Sequence, residues 1–128
     1  MNLIHDIIFY EKLAYLFYAI AMADRKIVRE EKKKIIEFVE KYWSSNMENS
    51  ESKEIIYKTL RELIKNNEKA EGAFIIFKTF FNENKEHFTD EITQKIIETT
   101  DGIALSFGKG RNKSELILLT KLNALVNS

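Results

Sequence analysis

A chain of 128 residues with 45% hydrophobic and 31% charged side chains has the mixture of a folded domain, and at that length roughly two thirds of the unfolded surface can be buried around one core. Twenty basic residues balance twenty acidic ones, so no net field gathers phosphate backbones, and nucleic acid is excluded as a general partner. Cysteine is absent, which removes disulfides, thiolate nucleophiles and cysteine-bound metal together.

The longest run without a charged side chain, Leu13 to Ala23, is only about half of the ~20 apolar residues that a spanning helix needs. Met1 to Tyr10 has neither the basic start nor the small-residue cleavage site of a secretory signal. The expectation is a cytoplasmic protein without a membrane span.

Proline is absent and glycine occurs four times, so nothing breaks helices strongly and the runs between punctuation points are long. The first predicted helix, Leu3 to Ala23, is apolar on nearly every side from Leu13 onward. Such a helix belongs in the middle of a bundle; left exposed, it would be a large apolar patch of the kind that marks a partner or dimer contact. The second spans Arg29 to Trp43. Its Lys32, Lys33 and Lys34 are interleaved with Glu30, Glu31 and Glu37 at helical spacings, so opposite charges cancel the field and the surface reads as an ordinary wet face.

The polar stretch Ser44 to Ser52 reads as a surface loop. The third helix, Glu51 to Asn66, has Ser50 at its N-cap and carries Ile56, Leu60 and Leu63 at steps of four and three. The fourth, Ala70 to Lys85, places Ala70, Ala73, Phe74, Phe77 and Phe81 on one stripe, a packing face with large aromatic area. The fifth, Asp90 to Phe107, follows a Thr89 cap and repeats Ile92, Ile96, Ile103 and Phe107. The sixth, Lys113 to Val126, follows Asn112, which with Glu115 has the spacing of a capping box. No segment alternates as a half-buried strand does. The fold expected is therefore all-α: one domain over residues 1–128, a bundle of about six helices.

The segment Leu16 to Glu37, LFYAIAMADRKIVREEKKKIIE, is an apolar helix ending in Ala-x-Ala-Asp, a short turn, and an acid-rich helix start. It resembles the TerB-like tellurite-resistance family, whose members carry an Ala-Asp-Gly turn and a Glu seven residues after the Asp. Asp24 and Glu31 stand at those two positions. Ile103 to Leu119, IALSFGKGRNKSELILL, is similar to the second copy of that pattern, pairing Ile20 and Ala21 with Ile103 and Ala104, and Glu31 with Glu115. The result is a weak two-fold helix-turn-helix pseudo-repeat. Two departures stand out: Arg25 occupies the place of the family glycine, and Phe107 that of the second acid. The resemblance implies packed helices and a role in bacterial stress response or tellurite and metal resistance, without implying a reaction.

Asp24 and Glu31, with Glu30 beside them, are the candidate metal ligands, since hard cations take oxygen donors. The competing structural reading is simpler. Asp24 can accept from turn amides, and Glu31 lies in a first helical turn, where the helix dipole favours negative charge by ~0.3 to 1 kcal/mol. Lys26 and Val28 exclude a calcium loop. Gly108 to Lys113, GKGRNK, offers glycines and cations to an anion, but it lacks the strand and the Gly-Lys-Ser/Thr ending of a phosphate loop and reads as a solvated connection. The histidines, His5 and His87, are far apart, and no nucleophile or metallohydrolase motif is present. The expectation is a non-enzymatic interaction or accessory domain that binds a protein partner or a second copy of itself and uses no cofactor; the alternative is a divalent-metal-binding or metal-sensing protein using Asp24 and Glu31.

Overall fold

The computed structural model describes residues 7–24, 33, 35–37, 41, 43, 50–106 and 113–127. Their continuous elements are α1 (Ile7–Ala21), a 3-10 turn (Met22–Asp24), α2 (Ser50–Lys65), α3 (Ala70–Glu83), a second 3-10 turn (Lys85–His87), α4 (Asp90–Ser106) and α5 (Lys113–Val126). Lys33, Ile35 to Glu37, Lys41 and Trp43 are helical too, and no strand occurs among the described residues. The chain is an all-α bundle, as its spacing predicts.

The bundle is organised around α1, which packs against α2, α3, α4 and α5. Phe9, Tyr10, Leu13, Leu16, Phe17, Tyr18 and Ile20 are all essentially removed from water. A helix buried on so many sides follows from the apolar run Leu13 to Ala23, and each large side chain buried in it contributes about 1.5 to 3 kcal/mol. Around it the surrounding helices present the stripes read from the sequence: Ile56, Leu60 and Leu63 on α2; Ala73, Phe74, Phe77 and Phe81 on α3; Ile92, Ile96 and Ile103 on α4.

One end of the bundle is aromatic. Phe9 lies 5.9 Å from both Trp43 and Phe88, ring centre to ring centre, and Phe81 lies 4.6 Å from Phe88. The Trp43 indole Nε1 donates to Thr99 Oγ1 at 2.9 Å, and that hydroxyl donates in turn to the Lys95 carbonyl at 2.6 Å. The Lys95 ammonium lies 5.8 Å from the centre of the Trp43 ring. Residue 43 is thereby tied to α4 by a buried hydrogen bond and by the Lys95 cation over its ring, and to α1 by packing against Phe9. Thr100, equally buried, satisfies its hydroxyl on the carbonyls of Ile96 and Ile97, so neither threonine leaves a polar atom stranded in the core.

α3 runs back along α1. Phe77 and Phe81 join Phe88 at the aromatic end, while Ala70, at the start of α3, meets Met22 and Ala23 at the other.

Three element ends differ from the sequence expectation or refine it. α3 stops at Glu83, two residues early, because the Asn84 amide nitrogens claim the last carbonyls: its backbone N–H donates to Phe81 O, and its side chain to Phe80 O. α2 runs from Ser50, whose side chain, and with it the expected cap, lies outside the described residues. Thr89 caps α4 as expected, its Oγ1 accepting from the Ile92 N–H at 3.3 Å. Residues Leu3 to Asp6, most of Arg29 to Trp43, and the Asn112 cap lie outside the described residues.

Candidate functional site

At the end opposite the aromatic cluster, α2 is closed by a tight left-handed turn. Asn67 has φ 52°. Its N–H donates to Ile64 O at 3.1 Å, and the next N–H, of Glu68, donates to Leu63 O at 3.1 Å. This pair of bonds is the Schellman arrangement, with asparagine in the place usually taken by glycine. Asparagine tolerates a left-handed backbone better than other residues with a β carbon because its short polar side chain bonds locally.

A second tie holds the turn to the centre of the bundle. The buried Tyr18 hydroxyl donates to the Glu68 carbonyl at 2.5 Å. Burial pushes the Tyr18 phenol above its usual value of 10.0, and the nearby Glu68 charge adds to the effect, so the hydroxyl keeps its proton and remains a donor.

The turn forms one wall of an open groove with a volume of about 670 Å³, within the range of sites that hold ligands or partner side chains. Met22 and Ala23, from the 3-10 turn after α1, contribute at one end. Asn67, Glu68 and Lys69 come from the turn after α2, Ala70 and Glu71 from the start of α3, and Ile117, Leu118 and Lys121 from α5. Leu118 is buried, whereas Leu116 and Ile117 beside it are each 47% exposed. A smaller hollow of about 310 Å³ continues along α5 between Leu116, Ile117, Thr120 and Lys121. Glu68, Lys69, Glu71 and Lys121 are all exposed, and no ion pair involving them occurs among the described residues.

Of the residues singled out by sequence, Asp24 closes the 3-10 turn whose preceding residues, Met22 and Ala23, line the groove. Glu30 and Glu31, the side chain of Asp24, and the loop at 107–112 lie outside the described residues. Ile20, Ala21, Ile103 and Ala104, the pairs aligned in the pseudo-repeat, are each fully buried. His87 is exposed, its Nε2 3.7 Å from Glu86 Oε1 at the surface; His5 lies outside the described residues. Among the described residues, no three of histidine, aspartate and glutamate are grouped to hold a metal ion.

The groove itself escaped the sequence reading, although two signals for it were present. Asn66-Asn67 between two predicted helices is a left-handed stop signal. Leu116 to Leu119 is a run of four apolar residues, and at about 100° per residue such a run sweeps roughly 300° around a helix, too much for one buried face. Part of it had to face outward. No family model matches the chain, and neither a curated protein nor a solved structure matches it.

Proposed function

We propose that this chain is a non-enzymatic interaction domain, an accessory protein in a bacterial stress or metal-resistance response, and that it receives a protein partner along the groove and the outer face of α5. The observation that carries the reading is the half-exposed pair Leu116 and Ile117 beside a groove of about 670 Å³. Adjacent large aliphatic side chains held in water beside a concave surface are the composition of an interface centre, whereas scattered single exposed residues are not. The stress context rests on the resemblance of Asp24 and Glu31 to the TerB-like turn.

Native mass spectrometry of the protein taken from its own cells tests the reading. The expected spectrum shows it with a stoichiometric protein chain attached, whether another protein or a further copy. A bare single chain under the gentlest conditions contradicts the proposal.

A further inference from the structure

We infer that the chain seated on this surface is a second copy of the same protein, meeting the first through the outer face of α5 and the adjoining groove. The inference rests on the interaction reading above and narrows it to one occupant.

Two acids, Glu68 and Glu71, and two lysines, Lys69 and Lys121, line the same groove, and none of the four is in an ion pair among the described residues. A partner of strongly single sign calls for a rim of the opposite sign. A balanced set of unspent charges instead suits an isologous contact, in which one patch must attract itself and each pairing occurs twice about the two-fold axis. In such a dimer Lys121 of one copy meets Glu68 and Glu71 of the other, and the reverse. The whole chain adds no obstacle, because twenty basic and twenty acidic residues leave it with a formal net charge of zero at pH 7, so two copies approach without general repulsion.

The apolar residues fit the same geometry. Leu116 and Ile117 are exposed neighbours on α5, and Ile117 also lines the charged groove. The patch thus has an aliphatic centre and a polar rim, the usual anatomy of an interface. A helix apolar over most of its circumference is normally covered on most of it, and α5 already buries Leu118, Leu119, Leu122 and Leu125 against the bundle. A second α5 covers the remainder.

The test is sedimentation of the full chain over a range of concentrations, for the wild type and for Ile117→Glu, Lys121→Glu and the control Ile75→Glu. Ile75 is 58% exposed on α3 and lines neither the groove nor the hollow along α5. All three positions are exposed, so folding should survive; circular dichroism and Trp43 emission check it. If one groove variant fails to fold, the other carries the test. The expected result is a reversible dimer in about the micromolar range, the strength of a small interface. Ile117→Glu and Lys121→Glu should weaken it by about tenfold or more, added salt should weaken the wild type, and Ile75→Glu should leave it unchanged. A wild type that stays monomeric up to about millimolar concentration overturns the second copy as occupant. A dimer that ignores both groove changes, or that is broken by Ile75→Glu, overturns the face. A monomer that nevertheless carries a different protein in native mass spectrometry sinks this inference alone and leaves the interaction reading standing.

Discussion

The Tyr18 hydroxyl donates to the Glu68 carbonyl at 2.5 Å, across fifty positions of sequence, so a residue buried in the central helix fixes the turn that walls the groove. Tyr18→Phe removes this donor while keeping the ring. The expected loss is about 0.5 to 1.5 kcal/mol, the net value of one such bond, because water can replace the donor at the exposed turn. Urea unfolding of the two proteins measures it.

The same phenol predicts a pH dependence. Burial, with Glu68 second, raises its folded pKa above 10.0. Below pH 10.0 the group is neutral in folded and unfolded chains alike, and its contribution is fully present. Above that value the unfolded chain loses the proton first, so stability falls as pH climbs through the raised folded pKa. Denaturation midpoints should decline on the alkaline side for the wild type, and this part of the decline should be missing from Tyr18→Phe. Parallel curves for the two proteins would contradict the assignment.

Asn67, at φ 52°, predicts an unusual order among substitutions. Asn67→Ala should cost about 1 to 2 kcal/mol, since alanine has a β carbon and no local hydrogen bond in the left-handed region. Asn67→Gly should stay within about 0.5 kcal/mol of wild type, as relief of backbone strain offsets the greater freedom of the unfolded glycine. Thermal melts that rank alanine above glycine would rule out this conformation.

Trp43 is the only tryptophan in the chain, and its Nε1 donates to Thr99 Oγ1 at 2.9 Å. Thr99→Val leaves a buried indole N–H without its acceptor, at an expected cost of about 1 to 3 kcal/mol. Fluorescence reports the site directly: the emission of Trp43 should change in Thr99→Val and remain unchanged in Thr93→Val, elsewhere on α4. Equal emission and equal stability in both variants would detach Trp43 from α4.

Helical spacing made the core legible. Stripes such as Ile56, Leu60 and Leu63, or Phe74, Phe77 and Phe81, can bury only one way once they are helical, and all six are buried. The apolar richness of Leu13 to Ala23 likewise announced a central helix. The groove was harder to see because it comes from three elements distant in sequence: the end of α1, the Asn67 turn and α5. Periodicity reports which face of each helix turns inward, not which outward faces end up side by side. The Tyr18 tie was invisible for a related reason, since a tyrosine in an apolar run reads as core and its acceptor is a backbone carbonyl, which carries no residue-specific signal.

The interaction reading also makes a prediction about the acidic turn. Millimolar calcium, magnesium, zinc or manganese should leave the melting temperature where an equal ionic strength of sodium chloride puts it. A rise specific to one cation, abolished in Asp24→Ala and in Glu31→Ala, would make the turn a metal site through linkage of binding to the folded state.

If the outer face of α5 is an interface, Leu116 and Ile117 are covered when the protein is in its native assembly. Hydroxyl-radical footprinting should compare the protein isolated gently from its own cells with the same protein dispersed to single chains. Both side chains should be oxidised several-fold more slowly in the native preparation, with Ile75 and Ile76 reacting alike in the two. Equal oxidation of Leu116 and Ile117 in both preparations would mean that nothing docks on α5.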